Sequence, residues 1–109
     1  MNEDRYTYKA YVSEIIDGDT VKAVIDLGFN IVTEQKLRLR GLDAPEIESA
    51  EGKEAKEFLA KQLTQPGASV LIRTVKPDKY DRYLADLWVD GKYINQELID
   101  KGFAMRVSE

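Results

Sequence analysis

The sequence of 109 residues predicts a mainly β domain in which five strands form a small barrel, with one helix after the third strand and a short helix near the C-terminus. Segments rich in β-branched and aromatic residues alternate with Gly, Asp and Asn turn signals, which indicates strands. A single segment with helical spacing of apolar residues follows the third of these strands. The length is that of one ordinary domain, so residues 1–109 are expected to form one unit.

The first three strands are expected at residues 8–16, 20–27 and 31–40. The turn Asp17-Gly18-Asp19 joins the first two as a hairpin, and residues 26–30 give the next turn signal. In the third strand, Leu37-Arg38-Leu39-Arg40 alternates apolar and basic residues with the period of a half-buried strand. Residues 41–52 contain Pro45 and no period, so they are predicted to be a loop.

A helix is predicted over residues 53–63, because Ala55, Phe58, Leu59 and Leu63 fall at helical spacing and Pro66-Gly67 follows them. Two more strands are expected at residues 68–75 and 84–89. After the first helix, the apolar residues thus return from helical spacing to a strand pattern.

The C-terminal part is predicted to contain a hairpin and a short helix. Asp90-Gly91 is a hairpin turn that joins residues 88–89 to residues 93–94. Asn95 is expected to cap a helix over residues 96–101, and Gly102 to end it in the left-handed conformation. Five strands with a helix after the third are the layout of the OB-fold, which often binds oligonucleotides but does not define a function.

The composition excludes several kinds of site. The sequence has no cysteine and no histidine, which excludes thiol nucleophiles, disulfides, histidine bases and the commonest ligands of transition metals. No segment approaches the roughly 20 apolar residues that span a bilayer, and the N-terminus lacks the pattern of a signal peptide. The net charge of −4 is unlike that of a protein that coats nucleic acid non-specifically. Catalysis would therefore depend on carboxylates, Lys, Arg, Tyr, hydroxyls or a hard cation.

Three short clusters combine acidic and basic residues at predicted turns and strand ends. They are Asp17-Gly18-Asp19-Thr20, residues 38–46, and Asp78-Lys79-Tyr80-Asp81-Arg82. Taken singly, each is typical of an ordinary turn, loop or solvated ion pair. Together they contain what phosphodiester hydrolysis requires: carboxylates for a hard cation, an acid to activate water, and arginines whose planar fork binds phosphate oxygens.

The same clusters carry a family resemblance. From about residue 8 to residue 107 the chain resembles the staphylococcal nuclease (thermonuclease) family. The matching motifs are Ile16-Asp17-Gly18-Asp19-Thr20-Val21, Leu37-Arg38-Leu39, Leu42-Asp43-Ala44-Pro45-Glu46, Asp78-Lys79-Tyr80-Asp81-Arg82-Tyr83-Leu84-Ala85, Asp90-Gly91-Lys92, Asn95-Gln96-Glu97-Leu98 and Lys101-Gly102-Phe103-Ala104. The resemblance implies an OB-fold nuclease that hydrolyses DNA or RNA and depends on Ca²⁺.

The resemblance also implies a cation site. Asp19 and Asp43 would bind Ca²⁺ through their carboxylates, and Ala44 would add its backbone carbonyl. Asp17 would support this loop without binding the cation itself. Ala44 stands where the family usually has threonine, but a backbone carbonyl survives that change.

The remaining roles concern water and phosphate. Glu46 would position or deprotonate the attacking water, and Arg38 and Arg82 would hold the scissile phosphate. Lys79 and Tyr80 would contact a neighbouring phosphate. Arg40 lies two residues after Arg38, on the same face of the predicted strand, and is a further candidate for phosphate contact.

A non-catalytic nucleic-acid or protein binding module on the same fold is the alternative interpretation. The nuclease-like repeats fused to Tudor domains are of this kind. Such modules typically lose the carboxylates or arginines, and this chain keeps them, whereas its acidic net charge favours the module. The domain is expected to be a monomer or part of a longer chain, without membrane association.

Overall fold

The structure is a computed structural model that describes residues 6–77 and 83–108. In chain order the elements are β1 (Thr7–Asp17), β2 (Thr20–Gly28), β3 (Ile31–Leu39), β4 (Leu42–Asp43), α1 (Ala50–Leu63), β5 (Val70–Pro77), β6 (Tyr83–Val89), β7 (Lys92–Tyr93), α2 (Ile94–Asp100) and β8 (Met105–Arg106). None of the helices in the described ranges is long and apolar enough to cross a bilayer.

The five long strands close into a barrel. Neighbours in the order β3-β2-β1-β5-β6-β7 pair antiparallel, and a parallel pairing of β3 with β6 closes the circle. In that closure Arg38 lies opposite Leu84, and Leu39 opposite Ala85. The mainly β architecture with two helices confirms the predicted OB-fold.

The core lies inside the barrel and under the helices. Leu37 and Leu39 are fully buried, together with Leu59 of α1 and Leu98 of α2. Arg38 lies between the two buried leucines on β3 and is only partly buried. The predicted alternation of this strand is therefore confirmed, and it sends the arginine away from the core.

Helix α1 begins three residues earlier than its apolar spacing predicts. Ser49 takes the N-cap position, with an extended backbone (φ −80°, ψ 160°), and its Oγ accepts a hydrogen bond from the Gly52 N–H at 2.9 Å. The predicted loop of residues 41–52 therefore contains the first helical turn. It also contains β4, which pairs with β8 and is too short to show a period.

The prediction that Asn95 caps α2 is wrong. The helix begins at Ile94, and Asn95 is buried inside its first turn. Its side-chain amide donates to the carbonyls of Arg40 (2.9 Å) and Ala85 (3.1 Å), while its Oδ1 accepts from the Leu87 N–H (3.0 Å). Asn95 therefore links α2 to β6 and to the end of β3, because a buried amide must satisfy its hydrogen bonds.

The predicted ending of α2 at Gly102 is confirmed. Gly102 has a φ of 80°, which is the left-handed region. Its N–H donates to Ile99, and the Phe103 N–H donates to Leu98, which is the hydrogen-bond pattern of a Schellman motif.

Candidate functional site

Three chain segments meet at one rim of the barrel: the turn between β1 and β2, the end of β3, and β4 with the residues that follow it. The register of β2 and β3 places Thr20 opposite Arg38, so the turn lies beside the arginine. The Leu39 N–H donates to the Asp19 carbonyl at 2.8 Å, and the Ala44 N–H donates to Asp19 Oδ2 at 3.0 Å. Backbone hydrogen bonds thus fix the predicted site segments to one another.

Asp19 is the buried acid at the centre of this arrangement. Its Oδ1 accepts a hydrogen bond from Thr20 Oγ1 at 3.0 Å, and only 8% of the residue is exposed. Burial raises the pKa of Asp19, but hydrogen bonds with Asp17, Ala44 and Thr20 and the charge of Arg38 outweigh it. The pKa of Asp19 therefore lies below its ordinary value, and this carboxyl is ionised at neutral pH.

Asp17 supports the turn from its other side. Its Oδ1 accepts a hydrogen bond from the Asp19 N–H at 3.1 Å. Burial, and then a side-chain hydrogen bond with Asp19, raise the pKa of Asp17 to about 6. The two acids therefore differ in their affinity for a proton, as is typical of a pair that shares a hydrogen bond.

The guanidinium of Arg38 lies between two carboxylates. Its Nη2 is 3.0 Å from Asp43 Oδ1 and 3.8 Å from Asp19 Oδ2. The Asp43 side chain is 62% exposed, whereas those of Asp19 and Arg38 are 11% and 14% exposed. Asp19 and Asp43 therefore face a common space that one positive group already shares, and this space opens to solvent on the Asp43 side.

The donors around this space fit a hard divalent cation. Carboxylate and backbone carbonyl oxygens are the ligands that Ca²⁺ takes in proteins, usually about 6–8 of them with waters included. Within residues 6–77 and 83–108, no three acidic side chains converge as a metal cluster. A cation between Asp19 and Asp43 would therefore need further oxygens, and the carbonyl of Ala44, the residue after Asp43, remains the predicted one.

Glu46 follows Ala44 by two residues and is exposed. Its backbone carbonyl accepts hydrogen bonds from the Ser49 N–H at 3.0 Å and from Ser49 Oγ at 2.7 Å. The residue is thus tied to the N-terminus of α1. Serine is a residue type typical of a helix N-cap, but this local signal at Ser49 did not predict its contact with Glu46.

The structure gives Arg40 a partner that the strand spacing did not predict. Its guanidinium binds the buried Asp86 through two hydrogen bonds, Nε to Oδ1 at 3.2 Å and Nη2 to Oδ2 at 3.0 Å. Arg73 and Tyr93 bind the same carboxylate. The guanidinium of Arg40 therefore has a structural role, and its contact with phosphate remains a prediction.

The predicted phosphate contacts of Lys79, Tyr80 and Arg82 lie outside the described residues and also remain predictions.

Comparison with known proteins shows the family of the chain. A family model described as staphylococcal nuclease homologue matches residues 36–109. The chain is 32% identical over 109 residues to a thermonuclease of Staphylococcus hyicus, which covers 94% of this chain and 60% of that protein. It is 39% identical over 69 residues to a probable staphylococcal-like nuclease of Oryza sativa subsp. japonica, which covers 63% of this chain and 20% of the rice protein.

A staphylococcal-like nuclease of Arabidopsis thaliana is 30% identical over 92 residues, which covers 76% of this chain and 28% of that protein. The chain thus spans between about a fifth and three fifths of the length of these three relatives. The family model matches more than half of the chain and includes Arg38, Asp43 and Glu46. The chain therefore belongs to the staphylococcal nuclease homologue family.

Proposed function

We propose that this domain hydrolyses phosphodiester bonds of DNA or RNA in a Ca²⁺-dependent reaction. The observation that carries the proposal is the convergence of Asp19 and Asp43 on the guanidinium of Arg38 at one open rim. Membership of the nuclease family, and relatives that are called thermonuclease and staphylococcal-like nuclease, support it.

The carboxylates of Asp19 and Asp43 and the carbonyl of Ala44 would hold the Ca²⁺ ion. When bound, the ion would supply positive charge beside the phosphate oxygens and favour deprotonation of nearby water. Asp19 is suited to this role because its low pKa keeps the carboxyl ionised. Asp17 holds the Asp19 backbone through the hydrogen bond to its N–H.

Glu46 is the proposed base, because the sequence has no histidine to accept the proton of water. The water oxygen forms the new bond to phosphorus, its proton passes to the Glu46 carboxylate, and the bond to the leaving sugar oxygen breaks. That sugar oxygen takes its proton from solvent.

Arg38 stabilises the charge that develops on the phosphoryl oxygens. Its Nη2 contacts the exposed Asp43 at 3.0 Å, and a change of side-chain rotamer would turn the guanidinium towards a phosphate at the open side. A planar guanidinium binds two phosphate oxygens at once. From the family resemblance, we infer that Arg82 acts as a second clamp, and that Lys79 and Tyr80 contact the next phosphate.

The test is cleavage of a single-stranded DNA and a single-stranded RNA oligonucleotide with Ca²⁺, without added metal, and with a chelator. We expect cleavage with Ca²⁺ alone, and its loss in Asp19→Asn and Asp43→Asn. Asp26→Asn changes an exposed acid near the end of β2, so it is the matched control and should cleave normally. Binding of the oligonucleotide without cleavage under all conditions would support the non-catalytic module instead.

A further inference from the structure

Gly52 lies in the first turn of α1, directly against the backbone of Pro45 and Glu46. A Cβ atom at this position would overlap the Glu46 carbonyl oxygen and lie 2.5 Å from the Glu46 carbonyl carbon. It would also lie 2.9 Å from the Pro45 carbonyl oxygen. These neighbours are backbone atoms, which cannot turn away as the end of a side chain can. Any larger residue would therefore move the loop or the helix.

The backbone conformation does not explain this glycine. Gly52 lies inside a helix, where glycine is among the least favourable residues. Gly67, in contrast, has a φ of 77° with open space around its Cα, so its conformation alone favours glycine. The requirement at position 52 is the close approach of α1 to the loop that carries Glu46.

Ser49 makes the same approach through hydrogen bonds. Its Oγ donates to the Glu46 carbonyl at 2.7 Å and accepts from the Gly52 N–H at 2.9 Å. Its own N–H donates to the Glu46 carbonyl at 3.0 Å. The carbonyl of Glu46 therefore accepts two hydrogen bonds from Ser49 and lies directly against Gly52.

We propose that Gly52 and Ser49 are positioning residues, which fix the backbone of Glu46 so that its carboxylate meets the attacking water. This inference rests on the proposed function. The cation ligands are held by other contacts, since Asp19 binds the Ala44 N–H and the Asp43 strand pairs with β8. Changes at positions 49 and 52 should therefore lower turnover while leaving Ca²⁺ affinity almost unchanged.

The first test is Gly52→Ala, measured as single-turnover cleavage of single-stranded DNA and as Ca²⁺ binding by calorimetry. A displacement of about 1 Å can cost about 100-fold in rate, so we expect turnover to fall about 10- to 100-fold. In the Glu46→Gln background the same substitution should cause no further loss, because the group that it displaces is already disabled. Gly67→Ala, the same substitution at a distant strained turn, controls for a general loss of stability and should cleave normally.

The second test uses Ser49 and stays informative if Gly52→Ala does not fold. Ser49→Asp keeps a good N-cap acceptor but cannot donate to the Glu46 carbonyl, whereas Ser49→Thr keeps both hydrogen bonds. We expect Ser49→Asp to lose about 2- to 10-fold in turnover, as one hydrogen bond implies, and Ser49→Thr to retain the activity.

The outcomes separate the two proposals. If the unmodified domain binds Ca²⁺ but does not cleave, the proposed function is wrong and this inference falls with it. If the domain cleaves, equal losses from Gly52→Ala with and without Glu46→Gln would overturn the inference alone. A loss of Ca²⁺ affinity that matches the loss of turnover would do the same.

Discussion

Two arginines, two residues apart at the end of β3, have opposite surroundings. Arg38 is one cation between two acids, Asp19 and Asp43, and the Asp43 side chain is 62% exposed. Arg40 shares one fully buried acid, Asp86, with a second cation, Arg73. Among the described residues, the first group has two acids for one arginine and opens to solvent at Asp43, whereas the carboxylate of the second group is enclosed. We therefore expect a further cation to bind at the first group and not at the second.

The group around Asp86 is closed by its hydrogen bonds. Burial raises the pKa of Asp86, but hydrogen bonds from Tyr93, Arg40 and Arg73 outweigh it, and the pKa lies below its ordinary value. Arg73 also lies 5.3 Å from the centre of the Trp88 ring, which stacks on Tyr93. The buried carboxylate of Asp86 thus joins Arg40, Arg73 and Tyr93 in the barrel wall.

The largest effect is expected from Arg38→Ala. Turnover should fall about 100- to 1000-fold, as loss of a transition-state donor does, while Ca²⁺ binds more tightly because the competing guanidinium is gone. Calorimetry and single-turnover cleavage measure the two effects. Arg40→Ala is the comparison and should mainly lower stability. If Arg40→Ala instead loses turnover at full stability, the predicted phosphate contact of Arg40 is right and the contrast between the two arginines fails.

The next effect concerns Asp86→Asn, which removes the charge that both arginines bind. The free energy of unfolding should fall by about 3 kcal/mol at pH 7 in urea titrations. Because the pKa of Asp86 is lowered in the folded state, its contribution is present above the ordinary value of 3.8 and is lost as pH falls below it. The variant should therefore lose less stability on acidification than the parent. Unchanged stability at pH 7 would show that the arginines need no partner.

A smaller effect is expected from Tyr93→Phe. The Tyr93 hydroxyl donates to Asp86 Oδ1 at 2.6 Å, and its loss should cost about 1.5 kcal/mol at neutral pH. Burial, and then the hydrogen bond to Asp86, raise the pKa of Tyr93 from 10.0 to about 12, so this stabilisation is present below pH 10 and disappears between pH 10 and 12. Urea titrations of parent and variant should converge over that interval. Parallel curves would contradict the assigned hydrogen bond.

The smallest effect is the dependence of substrate binding on salt. With only the cation and a few basic residues on phosphate, the log–log slope should be shallow, since each neutralised phosphate of a single strand contributes about 0.7. In the Glu46→Gln variant, which should bind without cleaving, removal of Ca²⁺ should weaken oligonucleotide binding more than a doubling of the salt concentration does. A steep dependence of affinity on salt that is the same with and without Ca²⁺ would favour the binding module.

The surroundings of the two arginines also show how much of the site the sequence could predict. Alternation identified β3 and turned Arg38 away from the core, because side chains of a strand alternate whatever the partner strand is. It could not separate Arg38 from Arg40. The partner of Arg40 depends on the closure of β3 against β6, which brings this arginine to a residue 46 positions later. Long-range register of this kind leaves no local pattern.

Asn95 illustrates the same limit. Its residue type and position before an apolar run are typical of a helix cap, and this local signal predicted the helix itself. The tertiary structure uses the amide for three hydrogen bonds to β6 and Arg40 instead. The acidic residues of the loop that carries Glu46 similarly indicated a site. The contact of this loop with Gly52 was not predicted, because it depends on how closely α1 approaches the loop.

The pairing of β4 with β8 has a consequence for synthesis of the chain. Asp43 lies opposite Met105, and the Val107 N–H donates to the Gly41 carbonyl at 2.9 Å. The strand that carries Asp43 is therefore completed by residues made more than sixty positions later. Because a ribosome releases the N-terminal part first, a growing chain can expose Asp19, Arg38 and Asp43 before this strand pair exists. The cation site that we propose would therefore be complete only after residues 105–107 have been synthesised.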